Sequence, residues 1–169
     1  MRKVYISILT VLAFLAVSPG SMAIDHPGIT RPVKSVSDFV LIEDGKPVPI
    51  IVSSTDDTAV LRAAANLQND FFMVCGTRPE IRESAETDRA VIAGSLSSDI
   101  IKSMIADNLI DVGDLEGYRE KYVIRFVKNP VEGVGEALVI VGSDRRGAVY
   151  GIYELSEQIG VSPWYDWAD

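Results

Sequence analysis

The stretch from Gly142 to Asp169, GSDRRGAVYGIYELSEQIGVSPWYDWAD, constrains the fold more than any other part of the chain. Asp144 is a good helix N-cap, because its carboxylate can accept from the free N–H groups of the first turn. Ala148, Ile152, Leu155 and Ile159 recur at steps of four and three, which predicts a helix from Arg145 to Ile159 with one apolar stripe. Gly160 is placed to stop it. Gly147 and Gly151 lie one turn apart beside that stripe, and each costs about 1 kcal/mol relative to alanine in a helix interior. A helix carrying two of them is expected to approach another backbone closely. The apolar run Ala137–Val141 just before it reads as a buried strand, and the expected partner is the sheet or a neighbouring domain.

The rest of the chain supports that reading. Phe39-Val40-Leu41-Ile42 is a strand, Glu43-Asp44-Gly45-Lys46 a turn, and Val48 to Val52 a second strand. Asp-Gly between apolar runs is a hairpin signal, since the turn needs positive φ. Pro47 and Pro49 cannot donate to a ladder, which predicts an edge position for the second strand. Ser54-Thr55-Asp56-Asp57 has the S-x-x-D form of a helix start, followed by the stripe Val60, Ala64, Leu67, Phe71 and Val74. Arg62, Asn66, Asn69 and Asp70 are expected on the solvated back of this helix, and Gly76 at its end. Ala90–Gly94 reads as a strand covered on both faces. Ser97 and Ser98 open a further helix to about Asp107, with Ile100, Ile101, Met104 and Ile105 apolar. Between Tyr118 and Val127, Tyr122, Ile124 and Phe126 are predicted on one face and Lys121 and Arg125 on the other. The order β-β-α-β-α-β-β-α implies an α+β fold, a mixed β-sheet with helices packed mainly on one face.

Residues 1–23 carry the pattern of a secretory leader. Arg2 and Lys3 precede the apolar run Val4–Val17, and Ser21-Met22-Ala23 is a small-x-small cleavage site. No cysteine precedes Cys75, so a lipid anchor has no acceptor. Export to the periplasm or the extracellular space is expected, with no membrane association after cleavage. Residues 24–36 are an extended lead-in rich in proline, and 37–162 form one domain. A domain of this size buries roughly two-thirds of its extended surface and needs no disulfide or metal. The lone Cys75 is read as a buried, inert thiol, in preference to a reactive or intermolecular cysteine. With a net charge of −8 and no basic stripe, nucleic acid and anionic membranes are poor partners.

Catalytic patterns are scarce. Gly142-Ser143-Asp144-Arg145-Arg146-Gly147 joins a strand to a helix, but Ala148 and Val149 stand where a phosphate loop needs Lys and Ser or Thr. Arg145 and Arg146 remain candidates for an anion site or an interface, against the alternative that one of them pairs with a nearby acid. His26 is the only histidine and sits in the lead-in, which gives no support to a hydrolase triad or a zinc site. No cofactor or metal is expected. Asp56/Asp57 read as first-turn acids, and Glu154/Glu157 as solvated residues of the last helix. Asp166 and Asp169 alone lie among aromatics, in Pro163-Trp164-Tyr165-Asp166-Trp167. Trp164, Tyr165 and Trp167 suit a sugar-stacking platform, and equally a hydrophobic anchor at a domain interface.

The run GSDRRGAVYGIYELSEQIGVSPWYDWAD resembles the junction between the N-terminal domain and the catalytic barrel of glycoside hydrolase family 115, the xylan α-1,2-glucuronidases. FVLIEDGKPVPIIVSSTDDTAVLRAAANLQNDFFMVCG is similar to the same N-terminal domain. The shorter pattern Arg146-Gly147 to Tyr150-Gly151 also resembles the equivalent domain of β-hexosaminidases and other α-glucuronidases. The resemblance implies a hexosaminidase N-terminal-domain-like fold. It also implies an enzyme that removes (4-O-methyl)glucuronic acid from xylan with inversion. Its catalytic carboxylates would belong to a (β/α)8 barrel beyond Asp169, with residues 163–169 beginning the linker. The implied partners are that barrel and glucuronoxylan, and no catalytic residue is assigned to this chain. A stand-alone carbohydrate-binding module is the alternative.

Overall fold

The computed structural model describes residues 38–161 and the backbone of two short strands at 4–6 and 30–31. In chain order the elements are β1 (Val4–Ile6), β2 (Thr30–Arg31), β3 (Phe39–Glu43), β4 (Lys46–Pro47), β5 (Ile50–Ile51) and α1 (Thr58–Cys75). These are followed by β6 (Ile81–Arg82), β7 (Thr87–Ser95), α2 (Asp99–Ala106), β8 (Tyr122–Lys128), β9 (Val134–Gly142) and α3 (Arg145–Gln158). Two sheets result. A small antiparallel sheet has the order β2-β1-β3-β4, and a larger mixed one the order β6-β5-β7-β9-β8. In the larger sheet β6, β5, β7 and β9 are parallel, and β8 runs antiparallel to β9. The fold is therefore α+β, built on a mixed sheet.

Alternation along β7 and β9 divides the core into two faces. Val91, Ala93, Leu138 and Ile140 pack with α1 and α3 through Val60, Leu67, Phe71, Ala148, Ile152 and Leu155. Ala90, Ile92, Ala137, Val139 and Val141 pack the opposite way, on Ile101 and Met104 of α2 and on Ile110, Val112 and Leu115. Two of the three helices among the described residues thus share one face. Both central strands are apolar on each side because each side is covered.

The turn before β4 has Asp44 at φ 51° and Gly45 at φ 77°, the paired positive φ of a type I′ hairpin. The segment after it departs from the expected edge strand. Lys46–Pro47 ends the small sheet as its edge, whereas Ile50–Ile51 lies inside the large sheet between β6 and β7. Pro49 is compatible with that interior position because it acts as an acceptor there, taking the Val91 N–H at 2.9 Å. The two prolines mark where the chain crosses from one sheet to the other.

α1 begins later than the S-x-x-D pattern predicts. Its cap is Asp57, which accepts from Ala59 N–H at 2.9 Å, while Ser54 N–H donates to Glu83. Gly76 closes the helix at φ 78°, as expected. Asp70 is buried, contrary to its predicted place on the solvated back, and Cys75 is only half-buried, with its thiol donating to the Thr77 carbonyl. On β8 the predicted faces are observed, with Tyr122 against Gly151 of α3 and Ile124 on the α1/α3 core, but the deeper burial is on the other face. Val123 and Val127 are the buried residues and Phe126 is 41% exposed, because α2 and residues 110–115 cover the Val123 side. Phe126 instead meets the Phe39 ring edge-on at 5.9 Å. Among the described residues no helix is long and apolar enough to cross a membrane.

Val4–Ile6 lies inside the stretch read as a leader, and here it is paired with β3, Tyr5 opposite Val40 and Ile6 opposite Phe39.

Candidate functional site

The parallel strands β7 and β9 end together at Ser95 and Gly142, and loops leave both ends toward helix N-termini. Open sheets of this kind place ligands outside the carboxyl ends of their strands. An open groove of about 710 Å³ lies there, lined by Leu96, Ser97, Arg119, Glu120 and Ser143, and by Asp57, Asp144, Arg145 and Arg146. Glycine lets the elements beside the groove approach closely. A Cβ on Gly142 would stand 1.9 Å from the Ala148 nitrogen, and one on Gly147 would stand 2.2 Å from the Lys121 carbonyl oxygen.

The acids of the groove are already engaged. Asp144 caps α3, its Oδ1 accepting from Gly147 N–H at 2.8 Å and its Oδ2 from Glu120 N–H at 3.1 Å. Those donors, Gly147 first, hold its carboxyl below the ordinary carboxylate range. Asp57 is lowered in the same way, chiefly by Ala59 N–H and then by Arg145. Arg145 reaches Asp57 at 3.4 Å. Arg146 pairs with Glu120 at 2.7 Å and donates to the Tyr150 hydroxyl at 3.0 Å. The tyrosine bond and the Glu120 charge raise the Arg146 pKa further. Both predicted arginines are therefore brought into one groove, and each binds an acid.

This electrostatic arrangement suits holding more than proton transfer. A general acid at neutral pH needs a raised carboxyl pKa, as in glycoside hydrolysis. Asp57, Asp144 and Glu83 are all shifted the other way. Among the described residues no imidazole lies beside Ser97 or Ser143 in the groove, and no cluster of His, Cys, Asp or Glu could hold a metal ion.

Glu154 differs from the solvated residue expected. It accepts from the Tyr122 hydroxyl at 3.1 Å and from the Gln158 amide at 2.9 Å, tying α3 to the edge strand β8. Burial, then the Glu154 charge, raises the Tyr122 pKa to about 12. Trp164, Tyr165, Asp166, Trp167 and Asp169 lie outside the described residues, as does His26. Sequence reasoning missed Arg119, Glu120 and Ser97 as groove residues. Ser97 comes from the connection between β7 and α2, and Arg119 and Glu120 from the one between α2 and β8; only the strand-end position of Ser97 hinted at it.

An α+β domain with a charged groove at its strand ends is the class these observations define. No protein-family model matches the sequence, and no curated protein matches it significantly. Among solved structures, one described as "A novel family GH115 4-O-Methyl-alpha-glucuronidase, BtGH115A, with specificity for decorated arabinogalactans" superposes with a TM-score of 0.61 at 26% identity. The match covers 75% of this chain and 15% of that one. A second, CpGH84D, gives a TM-score of 0.46 at 16% identity, covering 69% of this chain and 18% of the other. The chain has a GH115-like fold and is a glycoside-hydrolase-related domain that spans a small part of that glucuronidase's length.

Proposed function

We propose that this chain is the accessory N-terminal domain of an exported glycoside hydrolase that removes (4-O-methyl)glucuronic acid side groups from a plant polysaccharide. It acts beside a (β/α)8 catalytic domain, bracing that domain and contributing no catalytic carboxylate. The observation that carries the reading is the likeness of 75% of this chain to a 15% portion of a 4-O-methyl-α-glucuronidase. The exposed large apolar side chains support a docking role. Tyr150 and Tyr153 on α3, and Phe72 and Met73 on α1, are each 40–46% exposed. Large rings half in solvent are common where one element meets another domain. The substrate backbone is xylan by sequence resemblance. The structural likeness offers decorated arabinogalactan as the competing backbone.

Isothermal titration with glucuronoxylan oligosaccharides and with glucuronic-acid-bearing arabinogalactan fragments tests the accessory role. No heat of binding is expected from the chain alone. Micromolar binding that disappears in Trp164→Ala would instead make it a carbohydrate-binding module.

A further inference from the structure

The small sheet contains a strand that export would remove. β1 sits between β2 and β3, with Tyr5 opposite both Arg31 and Val40, and Ile6 opposite both Thr30 and Phe39. The other edge of β3 belongs to β4, where Leu41 carbonyl accepts from Val48 N–H at 3.0 Å. Backbone groups alternate along a strand, so those of Val40 and Ile42 point toward β1. All four residues from Phe39 to Ile42 are buried. Cleavage after Ala23 would leave those groups unpaired on an apolar edge, the kind of edge that proteins cover.

We propose that in the exported chain β2 takes the place of β1 and pairs directly with β3. The proposal rests on the leader reading given above. A second copy is a poor occupant, because a five-residue edge falls far below the ~1,000 Å² that a stable interface needs. β2 has the advantage of a tether, which makes its encounter with β3 intramolecular. It is already in the sheet and must move by one strand spacing, about 4.8 Å. β1 is antiparallel to both neighbours, so β2 and β3 would pair in parallel with Arg31 opposite Val40. Pro32 has no N–H and limits the new pairing to the residues before it.

A disulfide reports the exchange. With β1 in place, positions 31 and 40 are two spacings apart, about 10 Å, beyond the ~7 Å limit for a bridge. With β1 gone they are one spacing apart. Arg31→Cys and Val40→Cys are combined with Cys75→Ser, and the protein is exported, its N-terminus sequenced, and its thiols oxidised. The same triple variant is made as the unprocessed full chain, with and without Tyr5→Pro, which displaces β1 without truncation. The expected result is a bridge in the product beginning at Ile24 and in the Tyr5→Pro chain, and none in the unprocessed parent. A product that begins at Ile24 and stays unbridged overturns the exchange alone. A product that still begins at Met1 overturns the leader reading, and the proposal with it. A dimer on sedimentation of the processed chain assigns the edge to a second copy and also overturns the proposal.

Discussion

Gly147→Ala tests whether α3 is seated by backbone contact. At a solvent-facing helix position this substitution should stabilise by about 1 kcal/mol, from helix propensity alone. Here the new methyl would stand 2.2 Å from the Lys121 carbonyl oxygen and 3.0 Å from its carbon. Ordinary carbon–oxygen contacts begin near ~3.3 Å, so the strand must withdraw by about 1 Å. Lys121 is not free to do so, because its carbonyl accepts from Ser143 N–H at 2.8 Å and its N–H donates to Ser143 Oγ at 3.1 Å. Overpacking costs about 1–3 kcal/mol and the loss of one such bond about 1 kcal/mol, against the gain of about 1 kcal/mol. The net expectation is a loss of about 1–3 kcal/mol. Urea unfolding followed by far-ultraviolet circular dichroism reads it as a lower midpoint at unchanged slope. Ala65→Gly, at an exposed position of α1, calibrates the propensity term in the same protein. A stabilised Gly147→Ala variant would refute the close approach.

Gly151→Leu should also destabilise, by about 1–3 kcal/mol, because even a Cβ there would stand 2.6 Å from Ile140 Cγ2; a neutral midpoint would place that glycine in open space. Asp144→Ala should cost about 1 kcal/mol in the same urea assay, through loss of the α3 cap. Asp57 and Asp144 both have folded pKa values below their unfolded ones, so their stabilisation is present above the ordinary carboxylate range and is lost as pH falls through it. A double Asp57→Asn, Asp144→Asn variant should flatten the acid limb of stability against pH, and an unchanged limb would contradict this. Tyr122 has the opposite sign. Its pKa of about 12 stabilises the fold below pH ~10 and that contribution is lost as pH rises toward 12. Ultraviolet titration should lose its last-ionising tyrosine in Tyr122→Phe.

The elements easiest to read from the sequence were those whose signals are local. Asp44-Gly45 specifies its own turn, Asp144 its own cap, and the stripes of α1 and α3 their own buried faces. What was not legible depends on what packs from elsewhere. β8 has apolar residues in both phases, so its more deeply buried side was decided by α2 and residues 110–115. Asp70 sits at a polar phase of α1 yet is buried. Pro49 looked like an edge residue because its missing donor was visible, whereas its use as an acceptor toward Val91 was not. In the groove, Arg145 and Arg146 were legible as a pair beside a helix start. Their acids were not, since Asp57 and Glu120 arrive from other elements. The aromatic run at 163–167 carried family resemblance without a structural counterpart among the described residues.

The most direct measurement is release of uronic acid by the purified chain from glucuronoxylan and from glucuronic-acid-decorated arabinogalactan, followed by chromatography at high protein concentration over long incubation. An accessory domain predicts no release from either polysaccharide. Sustained turnover of either one by this chain alone would contradict the account.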